Sequence, residues 1–356
     1  MNMLLRILLL PVSFLYGSIL AVRNKLYDWN ILKSHEYEIP IISVGNLSVG
    51  GTGKTPHIEF LISRFQQKYK VATISRGYGR KTKGYILADE NSTAEEIGDE
   101  PFQFIMKFPT IKVAVDEKRN RAIRKLLAAE DAPDLILLDD AFQHRSVKPG
   151  INILLTDYSH LFIDDYVVPS GRLREFRYGA DRADTMVVTK SPIVLSPFEI
   201  RRISEKLKPK PSQQVYFSYI NYLEPKPLNK QARELVEKHW ELGKFSVLLV
   251  TAIANANPIK YYLKRYVKVL RELKFRDHHF FGEKDYEKIR EKMDEFLGSR
   301  KMIIMTEKDS TRFDVSKIED VPVFYLPIHI SFHSGAEKLL LSEIERFIAE
   351  KHVPNQ

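Results

Sequence analysis

The stretch V-G-N-L-S-V-G-G-T-G-K-T-P, residues 44–56, decides how the rest of the chain is interpreted. A short apolar run with Ile41, Ile42 and Val44 precedes the glycines and predicts a buried strand. A helix-compatible apolar segment begins at His57. A strand, a glycine-rich turn, Gly-Lys-Thr and a helix, in this order, are typical of a loop whose backbone N–H groups cradle phosphates.

The residues of this loop have separate expected tasks. Lys54 is expected to reach the β- and γ-phosphates, and the Thr55 hydroxyl to ligate Mg²⁺. Ser48 stands where the usual pattern has its first Gly, so an ordinary glycine-rich loop is the competing interpretation, although the flanking strand and helix argue against it. The residues expected to bind the nucleotide are Ser48, Val49, Gly50, Gly51, Thr52, Gly53, Lys54, Thr55 and Pro56.

Composition limits the class of protein. At 356 residues, with 44% apolar and 28% charged residues, the chain is an ordinary globular protein for which two domains are the default. The absence of cysteine excludes disulfides, thiolate metal sites and a Cys nucleophile, and it fits a reducing compartment. The net charge of +9 favours anionic partners. Nucleic acid is not expected among them, because zinc-finger spacing, an aromatic RNA motif and a long basic run are all missing.

Residues 4–22 are the most hydrophobic stretch, interrupted by Arg6 and Pro11 and followed by Arg23 and Lys25. A secretory signal would need a small-x-small cleavage site before Arg23, and none stands out. A spanning helix needs about 20 apolar residues with few interruptions, and this run is barely long enough and contains an Arg and a Pro. A buried N-terminal helix is the structural alternative. A membrane-surface helix with a basic end fits best, and we expect it on the cytosolic side because a nucleotide site follows at once. Whether it spans the membrane or lies on it is left open.

Residues 40–190 alternate β-branched runs with helix-like segments, which predicts a parallel sheet covered by helices on both faces. The expected strands are residues 41–44, 71–75, 111–115, 135–139, 151–155 and 185–189, with helices over 58–69 and 117–130. Ligands of such sheets bind at the carboxyl ends of the strands. We therefore expect the functional site along that edge.

Two loops behind strands carry candidate groups. S-R-G-Y-G-R-K-T-K, residues 75–83, is basic, and its Arg76 and Arg80 are expected to approach an anionic group, although a solvated loop explains it equally well. G-D-E-P, residues 98–101, places Asp99 at a helix start, either as a cap or as a general base acting on an acceptor hydroxyl. The residues alone leave both alternatives open.

The apolar run 135–139 ends in Asp139 and Asp140, carboxylates that suit Mg²⁺ opposite a phosphate loop. His144 lies just beyond them, where a plain turn is the alternative. Residues 168–178 contain three arginines, among them Arg174, beside Glu175. Guanidinium groups suit phosphates and anionic lipid groups, and surface salt bridges are the other interpretation.

A second α/β pattern follows the aromatic and then proline-containing residues 216–228, which we interpret as the inter-domain connection. Its expected strands are residues 246–251, 267–273, 301–306 and 321–326, with helices from 258 and over 284–296. This predicts an N-terminal helix (residues 1–28), a core domain (29–215) and a smaller domain (216–356).

The adjacent His278 and His279, beside Asp277, are the second domain's candidate reactive groups. A metal site is disfavoured, since adjacent side chains of an extended chain point to different sides and a third ligand is not apparent. A His–carboxylate acid–base arrangement fits better. T-E-K-D, residues 306–309, lies at another strand end, where a helix cap is the alternative.

Together these segments resemble one family, the tetraacyldisaccharide 4'-kinases of lipid A synthesis. Its signatures occur in order: VGNLSVGGTGKTP (44–56), SRGYGR (75–80), GDEP (98–101), LDDAFQHR (138–145), LRE (173–175), RAD (182–184), VTK (188–190), DHH (277–279) and TEKD (306–309). Ser48 in place of the first loop Gly is itself a habit of this family. Two departures are visible: Ala141 replaces the usual Gly, and I-A-N-A-N-P (253–258) is longer than the usual IANP.

The resemblance implies a fold and an activity. The fold is a P-loop NTPase-type parallel sheet flanked by helices, with a smaller C-terminal α/β domain and an N-terminal membrane-associated helix. The activity is phosphorylation of the 4'-hydroxyl of a tetraacyl glucosamine disaccharide 1-phosphate, dependent on ATP and Mg²⁺, at the cytoplasmic face of the bacterial inner membrane. The implied partners are the lipid disaccharide and the phospholipid surface, with no obligate protein partner.

The resemblance also implies roles for single residues. Asp99 would be the general base, oriented by His278, while Lys54 and Thr55 would serve the γ-phosphate and Mg²⁺. Asp139 and Asp140 would organise the metal and the reacting phosphate. The residues expected to line the substrate site are Arg76, Arg80, His144, Arg174 and Glu175.

Three rival functions fit the sequence less well. A GTPase needs an Asn/Thr-Lys-x-Asp segment, and the Thr189-Lys190 pair is followed by Ser and Pro instead. A partitioning ATPase carries a Lys early in the loop, where this chain has Val49. A non-enzymatic lipid-binding module has no need of the Asp pair. A membrane-associated P-loop ATPase or GTPase of a different role is the alternative function.

Overall fold

The computed structural model describes residues 3–238, 240–253, 255–277 and 279–352. The described strands are β1 (Ile41–Asn46), β2 (Val71–Ser75), β3 (Ile86–Leu87), β4 (Lys112–Val115), β5 (Leu135–Asp139), β6 (Ile151–Asp157), β7 (Thr185–Thr189), β8 (Gln214–Tyr222), β9 (Lys226–Pro227), β10 (Ser246–Thr251), β11 (Val269–Lys274), β12 (Lys301–Thr306), β13 (Val323–Leu326) and β14 (Ile328–Phe332).

The helices alternate with these strands over most of the chain, as the sequence predicts. They are α1 (Met3–Asp28), α2 (Lys54–Phe65), α3 (Ala94–Ile97), α4 (Asp99–Lys107), α5 (Arg119–Leu127), α6 (Pro197–Leu207), α7 (Lys230–Glu237), α8 (Asn257–Leu263), α9 (Glu283–Asp294), α10 (Glu307–Ser310) and α11 (Ala336–His352). The chain forms two compact units, one of which is Asn221–His329 and the other the remaining chain on both sides of it.

The first unit is built on a nine-stranded sheet in the order β14-β8-β7-β6-β1-β5-β2-β4-β3. The neighbouring pairs from β8 across to β4 are parallel, and β3 is antiparallel to β4. Strand β1 lies between β5 and β6, with Val44 in register with Asp139. The predicted parallel sheet is therefore confirmed, and the loop after β1 and the Asp pair after β5 end at the same edge.

Helix α2 is fixed in place by the apolar side chains on its inner face. Ile58, Leu61, Ile62 and Phe65 are almost fully buried, in one cluster with residues of β1, β5 and β6. Burying side chains of this size stabilises the fold by roughly 1.5–3 kcal/mol each relative to exposure. The start of α2, where phosphate is expected, is thus held by core packing.

The end of the chain belongs to the first unit, which differs from the predicted division at residue 216. Ile344 and Ile348 of α11 are fully buried in the same cluster as Phe65 of α2. Strand β8 continues the first sheet beside β7 through residues assigned above to the connection, because its alternate side chains Tyr216 and Ile220 pack against that cluster. Apolar burial, and not chain order, thus sets this boundary.

The second unit has a five-stranded sheet in the order β11-β10-β12-β13-β9, in which β9 alone of the described strands is antiparallel to its neighbour. This confirms the predicted second α/β pattern. In its T-E-K-D segment the Thr306 side chain accepts from the N–H of Asp309 and caps α10. Asp309 is fully buried and accepts from the N–H of Ala252 at 3.0 Å, which joins the ends of β10 and β12.

Helix α1 turns its polar and small residues inward and its apolar residues outward. Ser13, Gly17 and Asn24 are buried, and the Ser13 hydroxyl donates to that of Ser170 at 2.8 Å. A Cβ on Gly17 would lie 2.5 Å from the Phe176 ring, so only glycine allows this approach. The outward side chains that are 60–69% exposed are Leu4, Leu8, Phe14, Leu15, Ile19 and Val22. Among the described residues, α1 is the one helix long and apolar enough to cross a membrane.

Candidate active site

The glycine-rich loop begins as an extended, paired segment. Ser48 forms an isolated antiparallel bridge with Leu173, and the N–H of Val49 donates to the carbonyl of Arg172 at 2.7 Å. An extended residue has no need of glycine, which gives a physical reason for Ser48 at the position where the usual pattern has Gly. The segment with the three arginines thus lies directly against the loop.

The second half of the loop leaves the start of α2 open. Gly50 and Gly53 have φ of 104° and 88°, a region that favours glycine. Helix α2 starts at Lys54 without a side-chain cap among the described residues, whereas α6 is capped by Ser196. The first N–H groups of a helix attract anions when no side chain satisfies them. The start of α2 therefore presents N–H groups that no described side chain caps, next to the Lys54 ammonium.

Side chains from neighbouring strands hold the loop in this shape. Asn46 donates to the Thr52 hydroxyl at 2.7 Å, and the Thr189 hydroxyl donates to the Thr52 carbonyl at 2.8 Å. Lys190 donates to the Gly51 carbonyl and forms an ion pair with Asp157 at 2.9 Å. The V-T-K segment, residues 188–190 at the end of β7, thus positions the loop backbone.

A buried histidine that the sequence did not reveal supports the same turn. The His57 Nδ1–H donates to the Gly53 carbonyl at 2.7 Å, and Nε2 accepts from the Ser218 hydroxyl at 3.0 Å. Burial, followed by the charge of Lys190, lowers the pKa of His57 to about 4, although the Gly53 carbonyl opposes this. His57 is therefore neutral at physiological pH.

Asp140 follows the last residue of β5 and faces two cations. Its Oδ2 lies 3.7 Å from Lys54 Nζ, and Arg174 donates to both carboxylate oxygens at 2.7 and 3.0 Å. Burial raises the pKa of Asp140, but the charges of Lys54 and Arg174 outweigh this and hold the pKa below its usual value. Asp140 is thus ionised and links the lysine of the loop to the arginine segment.

Asp139 is buried, and its Oδ1 has no hydrogen-bond partner among the described residues. Burial and the neighbouring charge of Asp140 raise the pKa of Asp139 to about 7, against the opposing charge of Lys54. An orphaned carboxylate oxygen at the end of the strand beside the phosphate loop is the donor that Mg²⁺ prefers. These residues fit a magnesium ion, with Thr55 on the first turn of α2 as a further oxygen donor.

Arg119 lies beneath the Asp pair and was not singled out from the sequence. It is buried, and it donates to the carbonyls of Asp116 at 2.7 Å and Asp139 at 3.4 Å. Burial lowers the pKa of Arg119 to about 10, while the charges of Asp139 and Asp140 oppose this. It remains a cation and partly compensates the two carboxylates.

His144 lies near the same group of charges. Burial, and then the positive charges of Arg119, Arg23 and Arg76, lower its pKa to about 4. His144 and Arg76 thus both lie within electrostatic range of Arg119, which donates to the Asp139 carbonyl, and the imidazole is neutral at physiological pH.

Arg80 has a different environment from Arg76. Arg76 is exposed after β2, whereas the Arg80 side chain is 3% exposed, donating to Glu117 and to the Gly84 carbonyl at 2.5 and 2.7 Å. The S-R-G-Y-G-R loop is thus an organised turn with one arginine inside it. Arg80, which we predicted to contact substrate, has its hydrogen bonds directed into the turn.

Asp99 is buried as the first residue of α4. Gly98 before it has φ of 95°, and a Cβ there would lie 3.1 Å from Gly77, so the G-D-E-P turn contacts the basic loop closely. A carboxylate at a helix start complements the positive end of the helix dipole. His278, expected to orient Asp99, lies outside the described residues. Its neighbour His279 pairs with Asp285 at 2.8 Å.

Glu175 is buried and its carboxylate is fully engaged. Oε2 accepts from Asn24 at 2.7 Å, and Oε1 from Arg182 at 2.7 Å and Gln143 at 3.1 Å. The side chain predicted to line the substrate site therefore ties helix α1 to the segment that follows the Asp pair.

The loop, the uncapped helix start and the carboxylate pair meet at the carboxyl edge of one parallel sheet, and this makes the first unit a P-loop nucleotide-binding fold. Similarity to known proteins identifies the family of the whole chain. The Tetraacyldisaccharide-1-P 4'-kinase family matches residues 5–345. The chain belongs to this family, as the sequence signatures indicated.

Similar proteins cover nearly the whole chain. The tetraacyldisaccharide 4'-kinase of Bacteroides thetaiotaomicron is 44% identical over 96% of this chain and 93% of its own length. That of Flavobacterium johnsoniae is 46% identical over 99% of both. Among solved structures, LpxK from Aquifex aeolicus, an "apo" form in complex with ATP, is 28% identical with a TM-score of 0.71, covering 97% of this chain and 99% of that one.

Proposed function

We propose that this protein transfers the γ-phosphate of ATP to the 4'-hydroxyl of a tetraacylated glucosamine disaccharide 1-phosphate. The observation that carries the proposal is the open start of α2 beside Lys54, opposite a carboxylate pair at the end of the neighbouring strand. The names of the relatives and of the solved LpxK–ATP complex support the choice of donor and acceptor.

The chain's own groups supply positioning and neutralise charge, which is most of what phosphoryl transfer needs. The N–H groups at the start of α2 and the Lys54 ammonium hold the β- and γ-phosphates. Arg174 keeps Asp140 in place when Lys54 turns toward the phosphates, since it donates two hydrogen bonds to that carboxylate. Asp139 and Thr55 would hold a Mg²⁺ ion, and such an ion would neutralise charge at the phosphate oxygens.

We assign Asp99 as the general base that accepts the proton of the 4'-hydroxyl as the new P–O bond forms and ADP leaves. Its support is its burial at a helix start beside the basic loop, together with the family resemblance. The role of His278 in orienting this base rests on the resemblance alone. Arg76 and His144 are proposed to line the acceptor site.

We further propose that α1 attaches the protein to the cytoplasmic face of a phospholipid bilayer. A helix that buries serine and asparagine and exposes leucine, isoleucine and phenylalanine has an apolar surface that lipid would cover. The acylated acceptor resides in such a bilayer, so attachment would bring enzyme and substrate together.

The activity is tested with labelled ATP and the purified lipid disaccharide 1-phosphate in mixed micelles. We expect labelled, doubly phosphorylated lipid and release of ADP that depends on the lipid. GTP should not replace ATP. ADP release of equal rate without lipid, and no labelled product, would instead favour the membrane-associated P-loop ATPase.

Attachment is tested by sedimentation with phospholipid vesicles. Leu8→Glu combined with Leu15→Glu should release most of the protein from the pellet, because two carboxylates would enter the apolar face. The control Arg201→Ala with Lys230→Ala lowers the net charge by the same amount at side chains that are 82% and 83% exposed. Equal loss of binding in both pairs would show that charge, and not the apolar face, governs attachment.

A further inference from the structure

The last turns of α1 are bonded to the segment that follows the Asp pair. Arg145 donates to the Asn24 carbonyl at 2.6 Å and to Asp28 at 2.8 Å. The Arg145 guanidinium also lies over the Tyr27 ring, 5.3 Å from its centroid. Ser13, nearer the start of α1, instead bonds to Ser170, which takes no part in these contacts of the Asn24 end.

From Asn24 a chain of hydrogen bonds enters the site. Asn24 Nδ2–H donates to Glu175 Oε2 at 2.7 Å, and Glu175 Oε1 accepts from Gln143 Nε2–H at 3.1 Å. The carbonyl oxygen of the same Gln143 amide accepts from Arg174 at 3.3 Å. The relay thus passes from α1 to the guanidinium that binds Asp140.

Gln143 connects this relay to the phosphate loop as well. Its Nε2 donates a second hydrogen bond, at 2.9 Å, to the carbonyl of Asn46, the last residue of β1. Arg174 donates to both oxygens of Asp140, whose Oδ2 faces Lys54 at 3.7 Å. The orientation of one amide therefore affects both the base of the loop and the partner of its lysine.

Burial makes the relay costly to break. Asn24 is 7% exposed and Glu175 3% exposed. A buried carboxylate oxygen that loses its donor is expected to seek another, because leaving it unsatisfied costs about 1–3 kcal/mol. A Cβ on Gly179 would lie 2.8 Å from Glu175 Oε2, so there is little room on that side. Among the described residues, Gln143 and Arg182 already donate to Glu175 Oε1, and a shift of Gln143 toward Oε2 would release Arg174.

We propose that Asn24 is a positioning residue, through which the apolar helix α1 sets the orientation of Arg174 and Asp140 at the phosphate loop. Glu175 acts as the relay between them and not as a substrate contact. The inference rests on the proposed kinase function, because turnover is its readout, and it makes α1 a part of the site in addition to its proposed attachment role.

The test exchanges donor and acceptor along the first bond of the relay. Asn24→Asp places a carboxylate against Glu175 and should lower kcat at least about tenfold, as small misplacements of catalytic groups do. Adding Glu175→Gln restores a hydrogen bond of reversed direction, from the new amide to the new carboxylate, and leaves an oxygen for Gln143 and Arg182. The double variant should recover kcat to within about threefold of wild type.

Ser13→Ala is the matched control, because it removes a buried hydrogen bond that docks the same helix on Ser170 and leaves every bond of the relay in place. It should leave kcat within about threefold of wild type while lowering the melting temperature. KM for ATP and lipid, melting temperature and vesicle binding are measured for all four proteins.

Two results would overturn the inference. One is a loss of kcat in Ser13→Ala as large as in Asn24→Asp, which would mean that helix docking alone matters. The other is a double variant that folds, with wild-type melting temperature, and yet remains as slow as Asn24→Asp. Absence of lipid-dependent transfer in the wild-type protein would refute the proposed function instead, so the two failures are distinguishable.

Discussion

Lys54 and Asp140 form an ion pair at the phosphate loop, with 3.7 Å between Nζ and Oδ2. The same carboxylate accepts two shorter hydrogen bonds from Arg174, so Lys54 is the more weakly held of its two cations. This arrangement lets the ammonium turn toward phosphates without leaving Asp140 unpaired. The ion pair thus keeps the Lys54 ammonium beside the loop that we expect to bind the phosphates.

Replacing the lysine should remove this charge from the phosphates while the rest of the loop persists. We expect Lys54→Met to lower kcat/KM for ATP by about a hundredfold or more, as loss of a preorganised electrostatic group does. Steady-state kinetics measure this, with Lys25→Met as the control at a mostly exposed ammonium. A tenfold effect or less would argue against contact of Lys54 with the transferred phosphate.

The raised pKa of Asp139 predicts a pH-dependent cost of folding in the absence of metal. The folded-state pKa of about 7 lies above the ordinary aspartate pKa of 3.8, so the folded protein holds this proton more tightly and loses stability as pH rises between these values. Between pH 5 and pH 8 the cost grows by roughly 2–3 kcal/mol. Asp139→Asn should therefore gain stability relative to wild type over that range.

Chemical denaturation of both proteins with chelator, at pH 5 and pH 8, measures this difference. Added Mg²⁺ should stabilise the wild type more at pH 8 than at pH 6, because the ionised carboxylate binds the cation, and it should stabilise Asp139→Asn little. A pH-independent difference between the two proteins would contradict the raised pKa.

Most of the first sheet could be predicted because its strands are buried on both faces. The runs ending in Ser75, Asp139 and Thr189 are continuous apolar segments bounded by turns, and their observed ends match the predicted ones. Strand β8 and helix α11 were not assigned to this unit, since periodicity identifies an apolar face but does not say which surface covers it. Contacts distant in sequence, such as Ile344 with the cluster around Phe65, decide that.

The candidate site also contains residues that could be predicted from the sequence and residues that could not. Lys54 and the Asp pair could be predicted because their motif fixes them relative to strand ends. Arg119, Gln143 and His57 could not, since a buried arginine, a glutamine or a histidine in an apolar helix carries no local pattern. Arg80 and Arg76 stand four residues apart in one basic loop, and only the partner Glu117, distant in sequence, separates their roles.

The different environments of Arg76 and Arg80 predict different effects of replacing them. Arg80→Ala should lower the melting temperature by several degrees, because it leaves Glu117 and the Gly84 carbonyl without their buried donor. Arg76→Ala, at an exposed side chain, should leave the melting temperature within about a degree and raise KM for the lipid several-fold. Thermal unfolding and lipid titration of both variants check this. If both variants raised KM for the lipid equally and left stability unchanged, Arg80 would be a substrate contact, as the sequence analysis expected.

Asp99 is separable from its neighbour Glu100 by the same kind of comparison. As the general base, Asp99→Asn should lower kcat by about 10²–10⁴ with little change in KM for ATP, because proton acceptance is lost and nucleotide binding is not. Glu100→Gln removes the adjacent charge at the same helix start and should keep most of kcat, with a lower pKa for Asp139, whose pKa the Glu100 charge raises. Similar losses in both variants would indicate that the charge at the start of α4 matters and not a base at Asp99.

His278→Ala tests the proposed orienting residue in the same assay, and turnover within about threefold of wild type would remove that role.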